Sequence, residues 1–469
     1  MILEKLKYLF SIESMVKPEQ VEGELPTTKE AYKTAMGIAW PSMVESVLVN
    51  LIVAINTMMV GGLGTDAIAA VGITNQPRFI LLALILSLNV GVTAVVARRK
   101  GAGDLRGANQ CLKQCIKISA MLAFTISVLG FLLARPLVIF AGAEPGIVAP
   151  ATRYFQILMI GMFFNCIGLT ICAAQRGVGN TRVTMWTNVT ANIVNIVFNF
   201  FLIEGRFFFP RLETDGSAIA TILGNFVAFA MAARSITKQD SMLSVFSDAS
   251  WKFDKRTVKS VLNVSSSAMV EQVFLRIGFF VYAKMVASLG TVAFATHQIC
   301  NNILSLSFGF GDGFSVAASS LVGQSLGAKR PDKARIYAST LQRMALIVST
   351  ILFFVFLFGG RGIVSLFSSD PQVLASGAII MVICAFTTHS QTSQVIITGS
   401  LRGAGDTKFV AVSSLISIAI VRPFLTWLFA FPVGRGVIGA WIAILVDQAM
   451  RLVINFIRFK HGKWTKIEL

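Results

Sequence analysis

The chain has 469 residues, of which 55% are hydrophobic and 14% charged, with a formal net charge of +18. Long apolar runs in such a composition exclude an ordinary soluble globular protein and indicate a polytopic membrane protein. In a soluble chain that charge would suggest nucleic acid, but here it lies in short segments between apolar runs, where it is a topology signal, and no nucleic-acid partner is expected.

Residues 1–34 mix charge with short apolar stretches such as Leu6 to Ile12 and lack a small-residue cleavage site. They are expected to form a cytoplasmic extension, partly an amphipathic helix lying on the membrane, and not a secretory signal. A spanning helix needs about 20 apolar residues. Segments of that kind occur at 35–60, 68–97, 112–134, 152–175, 183–203 and 216–235, and then at 260–287, 294–322, 339–358, 374–399, 409–430 and 436–457. The predicted organisation is therefore an all-α membrane protein with helices 1–6 in residues 35–235, a cytoplasmic linker at 236–259, helices 7–12 in residues 260–458 and a cytoplasmic tail at 459–469. Arg98, Arg99, Lys100, Arg106, Lys113 and Lys117 cluster between helices 2 and 3, and Lys329, Arg330, Lys333, Arg335 and Arg343 at the equivalent place in the second half. The positive-inside rule puts these clusters and both termini in the cytoplasm.

The two halves are copies of one unit. Residues 41–186 recur as residues 267–412 at a constant offset: Met43-Val44-Glu45 returns as Met269-Val270-Glu271, Leu63-Gly64-Thr65 as Leu289-Gly290-Thr291, and Arg176-Gly177-Val178-Gly179-Asn180-Thr181 as Arg402-Gly403-Ala404-Gly405-Asp406-Thr407. The last helix of each half also matches, Gly216 to Ala220 against Gly439 to Ala443, after three residues were lost in the loop where the first half carries Phe207-Phe208-Phe209-Pro210. An even number of helices per repeat gives two parallel halves related by an axis along the membrane normal, the arrangement of alternating-access transporters.

Ionisable groups inside membrane helices are costly and are functional candidates. Glu45 in helix 1 lies roughly 15 Å along its helix, near the bilayer middle, and Glu271 is its repeat mate in helix 7. Each can load a proton or coordinate sodium, or can pair with a nearby base, Arg276 in the case of Glu271. Asp312 sits in the glycine-rich Ser307 to Phe314 stretch of helix 8, which lets neighbouring backbone come close, either as a third functional carboxylate or as a partner for Lys284 or Arg276. Asp447 and Arg451 in helix 12 have the spacing of a local ion pair. Helix 5 carries Asn188, Asn192, Asn195 and Asn199 on one face, either joining helices by hydrogen bonds or lining a hydrated cavity. Pro41, Pro77 and Pro423 mark kinks.

The Arg-Gly-x-Gly turns lack the Lys-Ser/Thr ending of a P-loop, so they are read as helix-ending turns with glycine at positive φ and Asn180 or Asp406 capping the next helix. The six cysteines and three histidines are too scattered for a metal site. No nucleophile with a base stands out, so an enzyme is not expected.

The six-plus-six plan, the sequence Leu321-Val322-Gly323-Gln324-Ser325-Leu326-Gly327-Ala328 after helix 8 and the paired Arg-Gly-x-Gly turns together resemble the multidrug and toxic compound extrusion (MATE) family, prokaryotic type, over residues 35 to 458. The resemblance implies two pseudo-symmetric six-helix lobes forming a V-shaped molecule, and export of organic cations driven by sodium or protons. Glu271 matches the helix 7 glutamate of the second-lobe cation site, where Na+ can bind. Asn56 in helix 1 stands where members often have aspartate, Asn195, Asn199 and Thr221 match its first-lobe partners, and Gln391 in helix 10 replaces a further aspartate found in some members. Asn56, Asn199 and Gln391 thus remove usual carboxylates, and Glu45, roughly 16 Å from Asn56 along the helix axis, is a candidate substitute.

The function expected is a Na+- or H+-coupled antiporter exporting amphipathic organic cations or drugs across the bacterial inner membrane, acting as a monomer on small organic substrates among membrane lipids, with no cofactor. The alternative is a lipid-linked saccharide flippase of the same superfamily, whose phosphate-binding cations would come from Arg78, Arg276, Lys284 and Arg422.

Overall fold

The computed structural model describes residue 4 and residues 8–468 except 62–64, 206, 208 and 239–240; between 53 and 68 the side chains of 53–54, 57–58, 60–61, 65–66 and 68 are also outside the description. The Leu63-Gly64 turn and Phe208 of the loop before helix 6 therefore lie outside the described residues.

Among the described residues twelve long helices follow one another: α1 Thr28–Gly61, α2 Thr65–Gly101, α3 Leu105–Leu132, α4 Val148–Gly177, α5 Thr181–Leu202, α6 Glu213–Thr237, α7 Lys255–Ala287, α8 Thr291–Gly327, α9 Pro331–Ser365, α10 Pro371–Gly403, α11 Thr407–Ala430 and α12 Gly436–His461. Ten of them are long and apolar enough to cross a membrane among the described residues. The other two, α5 and α8, have 22 and 37 residues. Their lower apolarity comes from the asparagine face of α5 and from Asn301, Asn302, His297 and the serines of α8. At about 1.5 Å per residue both still reach across the hydrocarbon layer.

The repeat is visible in the helix bounds. Thr65–Gly101 recurs as Thr291–Gly327 and Thr181 as Thr407, and the turns between them use the same conformations: Gly179 and Gly405 both have positive φ, and Gly103 is matched by Lys329, a non-glycine residue at φ 55°. The halves differ where α3 breaks at Leu133 into the short helix Ala134–Phe140, whereas α9 runs unbroken to Ser365. They differ again in α11, where Leu415–Val421 is π-helical. Pro423 stands two residues after that segment; it has no N–H for the carbonyl four residues earlier and its ring crowds that carbonyl, so the turn before it widens.

The chain divides into two compact units, one made of residues 1–46 and 267–469, the other of residues 47–266. Both switch points fall inside a helix, α1 and α7. The first part of α1 packs within the unit that contains α8: Ala35, Ala39 and Met43 share a core with Phe314, Ala317 and Leu321. Gly313 makes this possible, because a Cβ there would stand 2.5 Å from the Met43 backbone. The first part of α7 packs within the other unit, where the Ser265 hydroxyl donates to the Leu88 carbonyl and Gly91 leaves room for Val261.

Each unit also carries an irregular segment held down by basic side chains. Along α3, the buried Lys113 donates to the carbonyls of Ser247 and Ala249 at 2.6 and 2.8 Å, Lys117 to that of Trp251, and both lysines lie over the Trp251 ring. Along α9, Arg343 donates to the Ser11 carbonyl and the Ser14 hydroxyl, Arg330 to the Glu24 carbonyl, and Ile12 and Val16 pack on Ile336. Residues 11–25, within the segment 1–34 expected as an extension that is partly an amphipathic helix, are short turns docked on α9. Asp254 closes the α3 segment by accepting from the Thr257 amide and hydroxyl, which hold its carboxyl below the usual range.

Helices α8 and α10 meet through small residues four apart. A Cβ on Gly399 would stand 2.5 Å from the Ser315 carbonyl oxygen, and one on Gly403 2.1 Å from that of Ser319. Gly399→Val is expected to lower stability by about 1–3 kcal/mol, read as a fall in the thermal unfolding midpoint in detergent. Gly362→Ala, where nothing lies within 4 Å, is the control, and equal midpoints for the two variants would contradict the close-packing reading.

Candidate functional site

The tight α8–α10 seam ends at Arg402, the first residue of the second Arg-Gly-x-Gly turn. Its guanidinium donates to Glu271 Oε1 at 2.7 Å, and the Ser414 hydroxyl donates to the same oxygen at 3.1 Å. Glu271 is 3% exposed. This partner, Arg402 from α10, lies 131 residues away in the chain, where the sequence suggested Arg276 on the same helix.

A second ionic cluster lies in the same unit. Asp447 of α12 is fully buried and accepts from the Arg422 guanidinium and from the Ser417 hydroxyl inside the π-helical segment. The pair expected from spacing, Asp447 with Arg451, is looser at 3.9 Å, and Arg451 instead donates to Gln448 Oε1 at 2.9 Å. The wider turn of α11 serves both clusters, since Ser414 just before it reaches Glu271 and Ser417 within it reaches Asp447. Polar contacts continue through Ser413, Asn455, Thr398 and Gln394.

Glu45 is buried in α1 at 8% exposure. Its neighbour Ser46 donates to Asp312 Oδ2 at 3.4 Å, so Asp312 meets α1. Gln391 is buried in α10, and its Oε1 finds no hydrogen-bond partner among the described residues.

In the other unit Asn56, Asn195, Asn199 and Thr221 come together. Asn56 Nδ2 donates to Asn195 Oδ1 at 2.7 Å, Asn199 Nδ2 to Asn56 Oδ1 at 3.0 Å and to Asn195 Oδ1 at 3.3 Å, and Asn195 Nδ2 to the Thr221 hydroxyl at 3.2 Å. This amide cluster contains no carboxylate. Asn199 Oδ1 is buried without a hydrogen-bond partner, which leaves one inward acceptor.

The turns following α4 and α10 differ from expectation in one respect. Asn180 and Asp406 occupy the N-cap positions of α5 and α11, yet neither side chain caps. Asn180 donates to Gln175 Oε1, and Asp406 accepts from Arg458 at 2.7 Å. All six cysteines are buried thiols, and no group of three or more metal-ligating residues occurs among the described residues.

Sequence comparison decides what this double bundle is. The MatE family model matches residues 41–201 and again residues 267–428. The chain belongs to the MATE family. Its relatives include a probable multidrug resistance protein NorM of Thermotoga maritima, 27% identical over 93% of this chain and 94% of the relative, and the uncharacterized transporter YisQ of Bacillus subtilis, 25% identical over 93% and 96%. The Vibrio cholerae MATE transporter VcmN shares the fold with a TM-score of 0.85 over 92% of this chain and 97% of that one, at 20% identity. This MATE protein is thus a multi-pass membrane transporter built from α-helices.

Removing one member of a buried pair leaves the other charge uncompensated, at about 3–5 kcal/mol. Asp447→Asn is accordingly expected to lower the thermal midpoint in detergent far more than Asp215→Asn, whose partner Arg153 is 72% exposed. Similar midpoints would remove Asp447 from the structural core of the site.

Proposed function

We propose that this MATE transporter is a secondary antiporter that exports amphipathic organic cations or drugs from the bacterial cytoplasm in exchange for sodium or protons, with both termini cytoplasmic. The observation that carries the reading is the buried Glu271 carboxylate with the Arg402 guanidinium on its Oε1. A buried carboxylate calls for a positive partner, and Arg402 is a tethered one. An incoming cation that took over Glu271 would release Arg402, and its departure would restore the pair. This links ion binding to a movable element, as coupled transport requires.

The two candidate ions make different demands. Sodium, a hard cation held by several oxygens, has the Glu271 carboxylate and the Ser414 hydroxyl here, and needs Arg402 displaced. A proton needs only Glu271 Oε. Glu45 and Asp312, close together along α1 and α8, would assist within the same unit. Asn56, Asn195, Asn199 and Thr221 offer neutral oxygens, suited to a passing cation more than to a proton store, and Gln391 adds another unpartnered oxygen. Multidrug resistance is named for several relatives, which supports an organic substrate. The flippase alternative loses ground, because Arg422, one of the cations it would use for phosphate, is committed to Asp447.

Ethidium efflux from proteoliposomes under a sodium gradient, and separately under a pH gradient, tests the proposal. Wild-type protein is expected to drive efflux under one gradient, and Glu271→Gln to reduce it at least about tenfold, the loss of roughly 1.4 kcal/mol of coupling. Normal, equally gradient-dependent efflux by the variant would refute the role of Glu271.

A further inference from the structure

In the second repeat a cavity lies where the first repeat packs larger apolar side chains. In the first repeat, Leu112 and Ile116 of α3 and Ile167 of α4 pack with Leu243 of the connecting segment in one apolar core. At the same offset that relates the halves, these positions are Ala338, Gln342 and Ser393. The smaller side chains leave a cavity of about 520 Å³ between α9, α10 and α12, within the range of about 300–1,000 Å³ that holds small amphiphiles. Trp464, fully buried against Ala338, Ile397 and Leu401, fills the adjoining space but not this one.

Three features define what would fit. The walls are mainly apolar, from Leu346, Ile396, Ile397, Leu452 and Phe459. The outer wall is Val453 and Phe456, 56% and 52% exposed, so the cavity adjoins the flank of a helix bundle that in a membrane protein faces lipid. Its charged lining residue, among the described residues, is Arg343, at the end of α9 that also carries Arg330 and Arg335. One Arg343 nitrogen serves Ser11 and Ser14 at 3.3 and 3.1 Å and the Tyr32 hydroxyl lies against the same guanidinium; with five N–H groups, donors remain for an anion. Gln342 Oε1 is buried without a hydrogen-bond partner and adds a polar point beside it.

We propose that this cavity binds a hydrocarbon chain of an anionic phospholipid from the surrounding bilayer, with the head-group phosphate held by Arg343. The site is separate from the Glu271 and Asp447 clusters and does not depend on the antiport reading. Because Arg343 also holds residues 11–14, the lipid head group would share its anchor with the segment leading into α1.

The test uses full-length protein in maltoside detergent, supplied with phosphatidylglycerol or phosphatidylcholine and read by native mass spectrometry. Wild type is expected to retain phosphatidylglycerol in preference to phosphatidylcholine. The variant Ala338→Leu/Ser393→Ile restores the first-repeat residues and is expected to retain phosphatidylglycerol at least about tenfold less, since it displaces roughly two methylenes of buried chain. Its lipid-free thermal midpoint should not fall, because it fills a void. Arg343→Gln, a rim change that leaves the cavity open, is expected to abolish the preference between the two lipids. Equal retention of both lipids by wild type, or undiminished phosphatidylglycerol on the filled variant, would overturn the proposal.

Discussion

A charge inside a membrane bundle has to find an opposite charge or stay neutral, and that constraint organises the second half of this transporter. Glu271 and Asp447 are buried and are met by Arg402 and Arg422. The helix that joins the two pairs, α11, abandons regular geometry to do it: its π-helical turn brings Ser414 to one carboxylate and Ser417 to the other. Small residues on α8 and α10 allow the approach that carries Arg402 into place. Electrostatics sets the requirement, and backbone geometry and glycine packing meet it.

The first half descends from the same unit but resolves the problem differently. Its polar centre consists of Asn56, Asn195, Asn199 and Thr221, neutral donors and acceptors that bond one another and leave Asn199 Oδ1 over. A neutral cluster avoids the penalty of buried charge and needs no arginine. The repeats have thus diverged in electrostatics while keeping helix bounds and turn conformations. They have diverged in packing as well, since Leu112, Ile116 and Ile167 fill what Ala338, Gln342 and Ser393 leave open.

What the sequence made legible follows from how local each signal is. The apolar runs put four helix starts at 68, 183, 294 and 409, two or three residues inside the observed Thr65, Thr181, Thr291 and Thr407, because an apolar run is a local signal and each of these helices opens on a polar threonine. The asparagine face of α5 was readable from spacing, and so was its partner Asn56 once the family pattern was matched. The partner of Glu271 was not, because Arg402 looked like part of a turn and Arg276 lay closer in the chain. The docking of residues 11–25 on α9 was equally hidden, since irregular segments carry no period and their contacts are carbonyls that any residue supplies. Pro423 was a visible cue for the distorted turn of α11, although not for which hydroxyls it would deliver.

The most direct test of this account is a double-mutant cycle on Glu271 and Arg402, with thermal unfolding in detergent measured for Glu271→Gln, Arg402→Gln and the pair together. If the two act as one buried unit, each single variant leaves a lone charge, and the double variant recovers at least about 1 kcal/mol relative to the sum of the singles. Additive losses would mean that the two residues are independent, and that Arg402 is not the tethered cation on which the proposed exchange depends.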